Sequence, residues 1–332
     1  MKITDWAVIF VIIIAPVVWL GGLRAENLRE VNRLETRYTA ALRTAVQDAA
    51  ALLNRNELQQ FESGYGSSKW MRADKEQALA ALLRSLSLNF GVADDPAGQQ
   101  SLLAYIPAIV VMDYDGYFLY AADMDLSSDT WTYRWQDKKP YTYLDASGNS
   151  IAFTLDRNVT AYDAAANHWV SGLQTEIKSE ISIPLLQNEE TFDAVRRATI
   201  VRRIEEDLAR AIRAHNRIAA KLGVDYTFTL PVIPQEEWNN TLDDVGILVF
   251  LQGIPVGDRY YNNYAFGGGR LDLAPAIVGA VDPTTGLKYY YRMTCARASE
   301  LGYREEEIFP NERAAAENGY FSLDCRAFEP EE

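Results

Sequence analysis

Residues 6–23 read WAVIFVIIIAPVVWLGGL, eighteen positions without a charge. An apolar run of this length restricts the fold more than any other feature of the chain, because its side chains must leave water. At ~1.5 Å per residue, such a run reaches across a bilayer with slight thinning. Trp6 and Trp19 fall where interfacial aromatic residues sit, and Pro16 is tolerated in a membrane helix as a kink. A buried core helix and a cleaved signal peptide are the rival readings. Lys2 is offset by Asp5, and Gly22-Leu23-Arg24-Ala25 is a poor small-x-small cleavage site. The expectation is an uncleaved, single-pass transmembrane helix over residues 1–24, anchored through Trp6, Pro16 and Trp19.

Orientation follows from two opposed signals. Arg24, Arg29, Arg33 and Arg37 come after the run, which by a positive-inside count places the large domain in the cytoplasm. A Tyr- and Asn-rich, Lys-poor composition and two cysteines near the C-terminus favour the outside. The reading adopted is an extracytoplasmic head, with Cys295 and Cys325 as a disulfide candidate worth ~3 kcal/mol. In a cytoplasmic head they are two thiols.

Residues 25–66 read as an amphipathic helical stalk. Leu28, Val31, Tyr38, Leu42, Ala45, Ala49 and Leu52 recur at helical spacings and form one sticky face. That face either covers the protein's own core or meets other subunits in a helix bundle. Asp74 and Gln77 make a capping box for a second helix that Gly91 stops. A first α+β unit is expected over 67–184 and a second, opened by a long helix, over 185–332. Within the first, Ala108–Asp123 (AIVVMDYDGYFLYAAD) reads as a hairpin turning at Asp115-Gly116, with Tyr114 opposite Tyr117 and Val111 opposite Tyr120. The second carries a helix from about Glu189 to Leu222 ended by Gly223, a strand over Tyr226–Ile233, a helical segment over Glu236–Leu251 and a hairpin around Asp282–Gly286. Pro107–Val110 recurs as Pro275–Val278, so the two units are expected to be degenerate repeats. The fold class is α+β with antiparallel hairpins.

A net charge of −14 argues against nucleic acid as a partner, since phosphate neutralisation needs clustered Lys and Arg. Asp113-x-Asp115-Gly116 after an apolar strand resembles the nucleophile motif of haloacid-dehalogenase-type phosphatases, but Tyr117 stands where that family has Thr, and strands follow. The two histidines, His168 and His215, cannot build a His-rich zinc site. His215 lies on the apolar stripe of its helix and reads as a hydrogen-bonded core residue. Gly267-Gly268-Gly269 lacks the strand-to-helix setting of a phosphate loop and reads as a bend or a close backbone contact. No catalytic constellation, cofactor or metal site is expected, and a small-molecule ligand has no support in the sequence.

An apolar N-terminal helix running into a stalk over residues 1–54, then an α+β head, is similar in plan to pilin-like and pseudopilin subunits. That resemblance implies a non-enzymatic structural or assembly component of a surface or secretion apparatus, with membrane and stalk-bound subunits as partners. The prepilin signature is missing: no Gly/Ala-Phe junction precedes the run, and its fifth position is not Glu. The alternative is an extracytoplasmic ligand-binding module, because paired α+β units after a long helix also resemble tandem PAS-like Cache sensors.

Overall fold

The structure, a computed structural model, describes residues 3–53, 72–125, 130–221, 223–268, 277–292, 295, 301–309 and 312–323. The chain divides into two compact units, Met1–Gly269 and Arg270–Glu332. The boundary expected between residues 184 and 185 therefore falls inside the first unit.

The first unit opens with α1 (Ile3–Leu53), α2 (Lys75–Phe90) and α3 (Pro96–Leu103). The apolar run and the stalk as far as Leu53 form one uninterrupted 51-residue helix, and residues 54–66 of the expected stalk lie outside the described residues. Crossing a bilayer takes about 20 successive apolar residues. Within 6–23 the described side chains are those of Phe10, Ile14, Ala15, Val18 and Trp19, and among the described residues no helix is long and apolar enough to cross a membrane. The transmembrane anchor, the membrane localisation and the extracytoplasmic placement built on it are thereby corrected. The side chains of Trp6 and Pro16 lie outside the described residues.

From Val31 onward α1 is part of the body. Leu42, Ala45, Val46, Ala49 and Leu53 are fully buried. The capping box of α2 is formed: Asp74 Oδ1 accepts from Gln77 N at 3.0 Å, and Gln77 Nε2 donates to Asp74 Oδ2 at 2.7 Å. Gly91 ends α2 in the left-handed region (φ 72°), where its N–H reaches the carbonyl of Leu88.

The remaining elements of this unit are β1 (Ile109–Asp113), β2 (Gly116–Asp125), β3 (Thr130–Trp135), β4 (Lys139–Leu144), β5 (Ser150–Phe153), β6 (Asn158–Asp163), β7 (His168–Leu173), α4 (Gln174–Ile177), α5 (Pro184–Gln187), α6 (Glu189–Lys221), α7 (Gln235–Asn239), β8 (Gly246–Val256) and β9 (Arg259–Gly268). The strands form one antiparallel sheet in the order β7-β6-β5-β4-β2-β1-β8-β9, with β3 also on β2. Cross-strand partners share a face. The row Phe118, Val111, Ile247, Gly267 therefore lies on one face, where Gly267 meets Val46 of α1. Tyr117 lies on the other, where its hydroxyl donates to the Arg203 carbonyl (3.0 Å) and to Asp207 (2.8 Å) on α6.

The apolar run Gly246–Leu251 is strand, not helix. Its first eight positions, through Gly253, are all buried. A strand covered on both faces shows no alternation, so a short continuous apolar run does not distinguish strand from buried helix. The segment expected as a strand at Tyr226–Ile233 joins no ladder. Two side-chain amides take the place of neighbouring strands. Asn216 donates to the Phe228 carbonyl (2.9 Å) and accepts from its N–H (2.8 Å); Gln252 does the same at Thr229 (2.9 and 3.2 Å).

The second unit holds β10 (Ile277–Val281), β11 (Lys288–Arg292), β12 (Arg304–Phe309), α8 (Glu312–Glu317) and β13 (Phe321–Ser322). Its sheet runs β12-β10-β11-β13. Val278, Ala280, Tyr291 and Cys295 form one small core, while Ile277, Phe309, Ala315 and Tyr320 form another. The β10–β11 hairpin is present, but it belongs to this separate sheet. The expected repeat, which equates it with β1–β2, is thus corrected. The structural counterpart of β1–β2 is β8–β9: the two hairpins meet through their first strands, with Ile109 opposite Val249 and Met112 opposite Gly246. Sequence identity did not mark this pair because both first strands are plain apolar runs.

Candidate functional site

The Asp113 turn is where the sequence most nearly resembles an active centre. The hairpin pairs Asp113 with Gly116 and Met112 with Tyr117, so its loop is Tyr114-Asp115, one residue earlier than expected. Neither loop residue has a positive φ, so this is not the type I′ turn that an Asp-Gly pair suggests. Gly116 has a different purpose. A Cβ there would lie 2.5 Å from the carbonyl oxygen of Lys139, so glycine lets β4 approach β2.

Asp113 is fully buried. Its Oδ1 accepts from Ala73 N (3.0 Å) and Tyr114 N (2.9 Å), which ties the segment before α2 to the turn. Its Oδ2 lies 2.9 Å from Lys138 Nζ, a contact of charges without hydrogen-bond alignment. Lys138 also contacts Asp115. Burial pushes the Asp113 carboxyl above its ordinary value, against the pull of Lys138 and the two backbone N–H groups. Burial works against the charge of Lys138 as well, but the two carboxylates outweigh it and hold the ammonium above its ordinary value. The buried Tyr141 donates to the Asp113 carbonyl at 3.1 Å. The Phe118 ring lies beneath three cations, Lys75 at 5.0 Å, Lys138 at 5.7 Å and Arg72 at 5.8 Å from its centroid.

This centre is built to hold rather than to react. A nucleophile needs an approach path and a free lone pair, and Asp113 has no exposed surface and both oxygens engaged. Lys138 is the residue that sequence reasoning missed. Nothing in Gln136-Asp137-Lys138-Lys139-Pro140 marks it, because its partners lie more than twenty positions upstream. Arg196 was also missed. It is buried on α6, donates to the Leu155 carbonyl (2.7 Å) and pairs with Asp193 (2.7 Å). Among the described residues no cluster of His, Cys, Asp and Glu could hold a metal ion.

His215 is buried, its Nε2 2.9 Å from the Ala104 carbonyl, with its ring edge-on to Phe228 at 4.5 Å. Burial lowers its pKa, partly offset by that hydrogen bond. His168 is exposed at the start of β7. Gly267 makes the expected close contact: a Cβ there would lie 2.7 Å from both the carbonyl oxygen and Cγ1 of Val46. Cys295 is buried and no described cysteine is free, while Cys325 lies outside the described residues.

The stalk face turns inward. Val31, Leu42, Ala45 and Ala49 are buried, Leu52 is half-buried, and Tyr38 stacks on Phe90 at 5.0 Å and meets Tyr261 edge-on at 5.6 Å. Leu28 alone of that face is exposed. Every described side chain before Val31 is exposed, including Phe10 (64%), Val18 (66%) and Trp19 (69%). The unabsorbed surface of α1 is therefore its first half.

No protein-family model, curated protein or solved structure matches the chain.

Proposed function

We propose that this chain is a non-catalytic structural subunit that assembles with other copies of itself through the first half of α1. The observation that carries the reading is the exposed row Phe10, Ile14, Val18. Spaced by four, these side chains lie along one side of a helix, and exposed large apolar rows mark contact surfaces. The second half of the same helix is locked between α2 and the sheet, so the first half is presented from a rigid base. The pilin-like plan read from the sequence fits this division of the helix. The buried, ion-paired Asp113 centre supports a structural role over a catalytic one.

The test is the molar mass of the full chain in solution by light scattering. The unaltered chain is expected to form multimers, and the triple variant Phe10→Glu, Ile14→Glu, Val18→Glu a smaller species with an unchanged circular dichroism spectrum. Equal masses for the two chains overturn the proposal.

A further inference from the structure

The α1–α2 pair leaves a second surface unused. Where the two helices lie side by side, Asp48, Leu52, Gln77, Ala80, Arg84 and Leu88 help to line an open groove of about 530 Å³. A smaller groove of about 360 Å³ continues past Leu88 along Leu83, Ser87, Ala93 and Gln99. Leu88 stands as an exposed ridge between them (59%). Asp48 and Arg84 are both exposed, and neither has an ion pair or hydrogen bond among the described residues. One groove thus carries an apolar knob, a floor of small residues and one unpaired charge of each sign.

We infer that this groove is a two-fold interface in which a second copy of the chain packs α1–α2 against α1–α2 as a four-helix bundle. The positions of the charges select this occupant. Tyr38 stacks on Phe90, and Asp48 shares its groove with residues of α2 earlier than Phe90, so the helices run antiparallel. Counting ten residues along each helix from Tyr38 and Phe90 places Asp48 level with about residue 80 of α2, ~6 Å along the axis from Arg84. A two-fold axis near Ala81 then brings Arg84 of each copy level with Asp48 of the other. An isologous interface requires this self-complementarity. Ala80 and Ala81 sit at the axis, where small side chains allow the closest approach of backbones. Leu88 of each copy comes level with Leu52 and Gln77 of the other and packs between them, as in bundle packing. A partner of single-signed charge would leave one of the two groups unmatched.

This interface does not involve the Phe10–Val18 row, so it is tested in the full chain carrying Phe10→Glu, Ile14→Glu and Val18→Glu. That chain is expected to be a dimer by light scattering and sedimentation. Adding Asp48→Arg or Arg84→Asp should each weaken the dimer by about tenfold or more, through like charges facing across the axis. Both positions are exposed, so the circular dichroism spectrum should not change. Mixing the two single-charge variants in equal amounts should restore the dimer, because the Asp48→Arg chain then meets the Arg84→Asp chain with opposite charges at both contacts. A monomeric starting chain, charge reversals without effect, or a mixture that stays monomeric overturns the inference. None of these results bears on the N-terminal row, whose own test is the mass difference between the unaltered chain and the triple variant.

Discussion

The β1–β2 and β8–β9 hairpins adjoin one another in the sheet through β1 and β8, yet they are held by different means. The β1–β2 hairpin turns in two residues and is fixed by charge: buried Asp113 binds the backbone of Ala73 and Tyr114 and pairs with Lys138. The β8–β9 hairpin carries only solvent-accessible ion pairs at its turn among the described residues, Arg259 with Asp258 (4.0 Å) and with Glu35 of α1 (3.6 Å), and is fixed by glycine. Gly253 (φ 84°) makes a bulge, Gly257 (φ 64°) makes the turn beside Val31, and Gly267 lets α1 rest on the strand. Chain covering explains the difference. The β8–β9 hairpin lies directly under a helix, where room is short and missing side chains stabilise. The β1–β2 turn meets loop segments, whose backbone N–H groups need acceptors.

The largest expected effect breaks the ionic device. Asp113→Ala takes from Lys138 its buried partner, leaving Asp115 alone to balance it, and leaves two N–H groups unpaired. Removing one partner of a buried pair costs several kcal/mol, and with Lys138 still partly exposed a loss of ~3 kcal/mol is expected in urea unfolding. A loss under ~1 kcal/mol would show that the pair is not what holds the turn. Next comes the glycine device. Gly267→Ala drives a methyl against helix backbone that cannot swing aside, for a loss of ~2 kcal/mol. If stability is unchanged, α1 does not rest on β9 as described. Gly253→Ala should cost ~1–2 kcal/mol, since φ 84° is unfavourable for alanine and a Cβ would lie 2.8 Å from the Tyr226 ring. An intact amide-exchange pattern with no loss would remove the bulge from the argument.

The smallest effect is a pH dependence at His215, which ties α6 to the segment leading into β1. Its folded pKa lies below the ordinary 6.5 because burial disfavours the cation. The unfolded chain therefore takes up the proton first. The His215 contribution is complete above pH 6.5 and declines as the pH falls below it toward the folded pKa. Unfolding free energies measured between pH 7 and pH 5 should fall, and His215→Gln should flatten that slope. Equal slopes in both proteins would place the titration elsewhere.

Much of this architecture was legible in the sequence because its signals are local. The Asp74/Gln77 box, the stops at Gly91 and Gly223, the apolar stripe of α6 and the hairpin at Ala108–Asp123 all depend on residues a few positions apart. The same locality explains the errors. The Asp115-Gly116 dipeptide by itself favours a turn, whereas a carbonyl from Lys139 fixes the role of Gly116. Gly246–Leu251 reads as helix in sequence because its covering on both faces erases the alternation that marks a strand.

Taken alone, the amino-acid order determined the three long helices α1, α2 and α6, which face of the stalk is apolar and that no familiar catalytic motif is complete. These properties follow from side-chain spacing along one segment. Tertiary structure decided that the stalk face serves the chain's own core from Val31 onward, that Lys138 answers Asp113, and that β1 pairs with β8. Each of those outcomes is a contact between distant segments, and its free energy exists only once the chain has closed the loop between them.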